Sequence, residues 1–205
     1  MLNLLTYEGK NKEDILKNIL EELKCNKEDL FLKSEFIEGK LFKSSKYIVT
    51  VIRKSDIIEY IDHFFKEIGN LMNIHIETEI LESNDSFNVT LISNNNSILI
   101  GKNGKTLTSL QILVRQSIRS KINLNVKLNL DISNYKIKKL KNIERLVRGI
   151  AKEVEETKID VSLDSMNSYE RRFVHNLVNT EYKNLTTEST GEGKDRHITI
   201  KYKEN

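Results

Sequence analysis

One stretch of ten residues constrains this chain more than any other. Residues 98–107 read Ile-Leu-Ile-Gly-Lys-Asn-Gly-Lys-Thr-Leu. Gly101 and Gly104 bracket two polar residues, follow a short apolar run and precede a segment with helical spacing. Glycine at both ends of a turn lets another backbone lie close, because no side chain holds the two apart. Amides in a turn that opens a helix attract anions. The stretch therefore predicts a backbone clamp for a polyanionic strand, built between an apolar lead-in and a helix.

The flanking pattern agrees. Asp56 and Glu59 have the spacing of a capping box, and Ile57, Ile61, Phe64, Phe65, Ile68 and Leu71 follow at helical intervals. Strands are expected at 74–82 and 86–93, joined by Ser83-Asn84-Asp85, with a short helical turn at 95–99 before the loop. Leu107, Leu110, Val114 and Ile118 give the next helix its buried face. Residues 123–130 alternate as a half-buried strand. The order α-β-β-α-α-β, with the loop between the second and third helices, resembles the type II KH fold. There a Gly-x-x-Gly loop holds about four nucleotides of single-stranded RNA.

On the N-terminal side, residues 2–7 can form a strand, and Asn11 is placed to cap a helix carrying Ile15, Leu16, Ile19, Leu20 and Leu23. Residues 30–37 and 46–53 read as two further strands, with Gly39 in the turn between them. On the C-terminal side a long helix is expected over 134–157. Leu140, Ile143, Val147, Ile150 and Val154 mark one face, and Lys138, Lys141, Arg145, Arg148 and Lys152 another. The basic stripe suits a solvated face or a phosphate-binding one. A strand at 159–163, a helix over 167–179 with Asn167 and Glu170 as a cap pair, and strands at 184–189 and 196–202 complete the chain. In that helix Arg171 and His175 are four apart and share a face, while Phe173 and Leu177 point towards the core. A guanidinium can hold a phosphate with two parallel hydrogen bonds. An imidazole can donate to phosphate or stack on a base. Lys194, Arg196 and His197 add donors beside the Gly191-Glu192-Gly193 turn.

Charge is unevenly distributed. Residues 1–100 hold 12 Lys and Arg against 17 Asp and Glu, and residues 101–205 hold 21 against 13. Within 101–148 the balance is 12 to 2, so the C-terminal half is the part suited to a polyanion. No apolar run approaches the ~20 residues that span a bilayer, and the N-terminus lacks the basic region of a signal peptide. A cytoplasmic chain is expected. Cys25 is the single cysteine, which excludes an internal disulfide and a cysteine metal cluster. His63, His75, His175 and His197 have no metal-ligand spacing, and no acid pair or nucleophile with a base is evident. Neither catalytic residues, a metal site nor a cofactor is expected.

With these residues placed, nearly the whole chain resembles the bacterial Jag family, also called KhpB or EloR and described as SpoIIIJ-associated. Residues 1–53 resemble its N-terminal domain. Residues 56–132, with Ile100-Gly101-Lys102-Asn103-Gly104-Lys105, resemble its KH domain. Residues 134–205 resemble the R-3-H domain, named for Arg and His separated by three residues. Met166-Asn167-Ser168-Tyr169-Glu170-Arg171-Arg172-x-Val174-His175 and Thr187-Glu188-Ser189-x-Gly191-Glu192-Gly193 carry that match. The chain departs from the family in three places. Ser165 stands where a proline is usual, the glycine-rich turn of the first domain is reduced to Glu38-Gly39-Lys40-Leu41-Phe42, and the charged linker frequent between the first two domains is nearly absent.

The resemblance implies an α+β chain of three small domains, each a short sheet packed with helices, the first of them β-α-β-β. It implies a single-stranded RNA-binding post-transcriptional regulator linked to cell elongation, division and envelope growth. Pairing with a small KH protein similar to KhpA, or with a second copy, is also implied. The acidic N-terminal domain is expected to dock on a protein. The expected RNA contacts are Gly101, Lys102, Asn103, Gly104 and Lys105, with Ile98, Ile100, Leu107 and Leu110 edging an apolar groove. Arg171, Arg172, His175, Lys194 and Arg196 are expected to hold the strand further along. Replacing Gly101 and Gly104 by Asp should remove the clamp without unfolding its domain. The rival reading is an adaptor for proteins that uses the KH domain to dimerise.

Overall fold

A computed structural model describes residues 2–39, 44–83 and 86–203. The chain divides into two compact units, Met1–Ser133 and Asn134–Asn205. Three three-stranded sheets, each packed with helices, make up the mixed α/β architecture.

The first sheet has the order β1-β3-β2, from β1 (Leu5–Gly9), β2 (Leu30–Ile37) and β3 (Lys46–Arg53), all antiparallel. Helix α1 (Lys12–Leu23) covers one face. The Asn11 side chain accepts from the Glu13 amide 2.9 Å away and so satisfies one of the helix's unpaired N–H groups. Ile15 and Ile19 are buried against Leu30, Val49 and Val51. Each such side chain contributes about 1.5–3 kcal/mol by leaving water. Most of the turn expected at 38–42 lies outside the described residues.

The second sheet has the order β4-β5-β6, from β4 (Ile76–Ser83), β5 (Ser86–Ser93) and β6 (Lys127–Ile132). β4 and β5 are antiparallel, and β6 runs parallel to β5. The parallel step needs a crossover, which α3 (Asn96–Ile100) and α4 (Lys105–Ile122) supply. Helix α2 (Lys54–Met72) precedes the sheet and buries Ile57, Ile61 and Phe65. It follows β3 directly. Arg53 takes the cap position without a side-chain bond, so Asp56 lies within the first turn and forms no capping box with Glu59. β6 begins four residues later than its alternation suggests. Helix α4 runs to Ile122, and Asn123 closes it in the left-handed conformation.

The two sheets of this unit meet through a small polar and aromatic contact. The Phe31 ring lies 5.8 Å from that of the fully buried Phe87. The buried Lys54 ammonium sits 5.5 Å over Phe31 and pairs with Glu82 at 2.6 Å.

The second unit carries β7 (Val161–Ser162), β8 (Leu185–Thr190) and β9 (His197–Tyr202) in the order β7-β9-β8, all antiparallel. Helices α5 (Tyr135–Thr157) and α6 (Ser168–Glu181) cover one face. Val147, Ala151 and Val154 of α5 meet Val174 and Val178 of α6 over Leu185, Ile198 and Ile200. The core face of α6 is therefore set by the two valines. Phe173 and Leu177, expected to point inward, are only half-buried at its margin.

Among the described residues seven other than glycine take positive φ, and four of them, Lys24, Asn73, Asn123 and Lys158, are helix C-caps. Among the described residues no helix is long and apolar enough to cross a membrane. No group of three or more His, Cys, Asp or Glu among them is arranged to hold a metal ion.

Candidate nucleic-acid interface

Helix α3 ends at Ile100, and the chain turns through one tight 3-10 step, Lys102–Gly104, into α4. Gly101 has φ 69° and ψ 179°. Asn103 and Gly104 are left-handed, at φ 56° and 78°. The Gly101 amide donates to the Ser97 carbonyl at 2.9 Å and the Gly104 amide to the Gly101 carbonyl at 3.2 Å. The Thr108 hydroxyl bonds the Gly104 carbonyl at 3.0 Å. The bend is thus held by its own backbone, while Lys102, Asn103 and Lys105 are exposed.

Helix α4 starts with no side-chain cap and no acidic residue in its first turn. By contrast, α1 and α6 both carry carboxylates there. The partial positive charge of the α4 N-terminus is therefore unopposed, and Lys102 and Lys105 add to it. An anion is the chemistry that fits.

The geometry corrects the reading of Gly101. A Cβ built there would lie 2.1 Å from Thr106 Oγ1 and 2.8 Å from its Cβ. The missing side chain makes room for the chain's own threonine, whatever else approaches. Replacing Gly101 by Asp would therefore disturb the domain itself. The groove residues also separate. Leu107 and Leu110 are core, at 2% and 5% exposure, whereas Ile98 is 46% exposed and Ile100 half-buried.

In the second unit Arg171, Arg172 and His175 stand on α6, and Lys194 and Arg196 on the turn that leads into β9. The α6 start is fixed by a reciprocal cap. Asn167 Oδ1 accepts from the Glu170 amide and Glu170 Oε2 from the Asn167 amide, both at 3.0 Å. Glu170 is buried and also pairs with Lys139 at 2.6 Å. Arg171 Nη1 donates to the Met166 carbonyl at 2.7 Å, and the Met166 amide donates to the Arg196 carbonyl at 3.2 Å. Arg196 Nε donates to Ser189 Oγ at 3.2 Å. His175 Nδ1 is 2.5 Å from Thr187 Oγ1, and Nε2 is 2.9 Å from Asn179 Nδ2. With the Asn179 amide donating to Nε2, Nδ1 carries the proton and donates to Thr187.

Thr187 and Ser189 are two apart on β8, so they stand on one face about 7 Å from each other. Through them His175 and Arg196 reach the same strand, β8, while Met166 links Arg171 to the Arg196 backbone on the β7 side of β9. The sequence held no signal for Thr187, Ser189 or the Lys139–Glu170 pair as supports. Both ring nitrogens of His175 bond the scaffold, although the residue is exposed. Arg172 and Lys194 are exposed, without an ion-pair partner among the described residues. His197, by contrast, is held by the Asp195 carbonyl and Thr190 as part of the sheet end.

Comparison with known proteins bears on both places. Residues 58–131 match the family model described as the KH domain of KhpA and KhpB, and residues 141–202 match that of the R-3-H domain. The chain is 32% identical to the RNA-binding protein KhpB of Clostridium symbiosum, an alignment covering 98% of this chain and 93% of that one. It is 26% identical to the protein of the same name from Bacillus subtilis, over 97% and 98% of the two chains.

Proposed function

Because the chain belongs to the KhpB family, we propose that it binds single-stranded RNA at two places as a post-transcriptional regulator. The observation that carries this is the 101–104 bend, left-handed at Asn103 and Gly104, exposed at Lys102 and Asn103 and feeding an acid-free helix start. Backbone amides and the α4 N-terminus hold phosphates there, with Lys102 and Lys105 supplying charge and Ile98 and Ile100 an apolar edge for bases. Arg171, Arg172, His175, Lys194 and Arg196 hold the strand at the second place. Among the described residues no aromatic row lines the loop, so sequence preference is modest.

The biological setting follows the family. We place the chain in the cytoplasm, as a regulator of elongation, division and envelope growth. It works with a small KH partner similar to KhpA or with a second copy of itself, and its acidic N-terminal domain docks on a protein.

The test is RNA binding by the full chain carrying Lys102→Asp and Asn103→Asp together. Both positions are exposed, and Asp tolerates the left-handed backbone of Asn103. Affinity should fall about tenfold or more, since two like charges now face the phosphates. RNA binding that survives the change removes the loop from the scheme. A second reading, a dimerising adaptor, is favoured by Ile112 and Leu113, exposed at 46% and 50% on α4. Under it, Leu113→Glu would change the sedimentation of the protein and leave RNA crosslinking intact.

A further inference from the structure

Helix α5 distributes its charge against its own dipole. A helix is stabilised by acids in its first turn and bases in its last, each by about 0.3–1 kcal/mol. Helix α5 has no acid in its first turn and no base in its last. Residues 136–152 hold Lys136, Lys138, Lys139, Lys141, Arg145, Arg148 and Lys152 against Glu144 alone. The helix then closes with Glu153, Glu155 and Glu156. Its N-cap, Asn134, makes no side-chain bond to the helix. Folding alone would favour the reverse order.

The arrangement is also segregated around the helix. Val147, Ala151 and Val154 define the buried face. Lys138, Lys141, Arg145 and Lys152 project from the opposite face, are exposed, and make no ion pair with any described residue. Arg148 borders the stripe and is the exception, held by Glu144 and by Glu181 of α6. Lys139 turns the other way to reach Glu170. What remains is a row of like charges spaced three to seven residues apart, or about 5–10 Å per step. Neighbours at this spacing repel one another mildly.

We propose that the outward face of α5, from Lys138 to Lys152, is a phosphate rail, a nucleic-acid contact additional to the loop and to the Arg171–His175 site. It rests on the reading of the chain as an RNA-binding protein. The stripe includes no aromatic side chain, so it contacts backbone and reads no bases. A row of cations on one helix face suits a chain of phosphates, and phosphates near the helix start are favoured by the dipole as well as by the lysines. The three glutamates of the last turn end the rail after Lys152. Its role is to lengthen the footprint on RNA beyond the few nucleotides a loop can clamp.

The test compares the full chain with a variant carrying Lys138→Gln, Lys141→Gln, Arg145→Gln and Lys152→Gln. Glutamine keeps helix propensity, and an unchanged or higher melting temperature confirms that the fold survives. Each protein is titrated against single-stranded RNAs of about six and about thirty nucleotides at several salt concentrations. Loss of four phosphate contacts should reduce the slope of log K against log salt by about 2–3 for the long RNA. The short RNA should bind as before. A control removes the same charge from the acidic half, with Lys10, Lys12, Lys17 and Lys27 changed to Gln, and should leave the slope alone. The rail is overturned by an unchanged slope, by equal loss on both lengths, or by equal loss in the control. Failure of the unaltered chain to bind either RNA overturns this inference and the proposed function together.

Discussion

Gly101 has two reasons to be glycine, and they can be separated. Its φ of 69° and the 2.1 Å approach of Thr106 Oγ1 to any added Cβ are internal demands. Gly101→Ala should therefore cost about 1–3 kcal/mol in urea unfolding. Adding Thr106→Ala should recover part of the loss by removing the hydroxyl. Lys102→Asp should leave stability within about 0.5 kcal/mol, because its side chain is in water. The pair of results distinguishes a loop that fails to fold from one that fails to bind. Asp62 offers a separate check on pH. Burial alone would raise its pKa, but hydrogen bonds from Lys66 and Thr78 and the Lys66 charge outweigh this and hold it below the usual carboxylate value. A depressed folded-state pKa contributes stability that is complete above the unfolded pKa and is lost as pH falls through the folded one. Asp62→Asn should therefore flatten the acid side of a stability profile, with its largest effect above about pH 4. An unaltered profile would mean that the Lys66 and Thr78 contacts contribute nothing.

The strength of local signals decides which elements can be read in advance. β2 and β3 fall where alternation puts them, and the α6 cap was visible because Asn167 and Glu170 stand three apart. Asn167→Ala should cost about 1 kcal/mol, measurable as a shift in the unfolding midpoint. Asp56 and Glu59 have the same spacing and form no box, since β3 passes straight into α2 at Lys54. Spacing cannot report where the preceding strand stops. Phe173 and Leu177 misled for another reason. Hydrophobicity ranks them above Val174 and Val178, yet it is the two valines that pack with Val147, Ala151 and Val154 over Leu185, Ile198 and Ile200. The long-range supports of the second site, Thr187, Ser189 and Lys139, depend on which strand lies beside α6. Nothing in the local pattern encodes that neighbour.

At the scale of the molecule, one contact ties two of the sheets together. Phe31, Phe87, Lys54 and Glu82 join the first two sheets into one unit. Phe31→Ala removes one ring and uncovers part of another, and should cost about 1–3 kcal/mol. Amides of β2 and of β5 should lose hydrogen-exchange protection together, while those of β9 keep theirs. Loss confined to β2 would mean that the first two sheets are energetically independent. The left-handed C-caps spread a different cost over the whole chain. Lys24, a lysine in a backbone state that glycine enters freely, gives up about 1 kcal/mol to its own chirality. Among the described residues, four of the six α-helices stop in this way, without glycine or proline to stop them. The sequence therefore leaves heat tolerance unclaimed, and Lys24→Gly should raise the melting point by a few degrees.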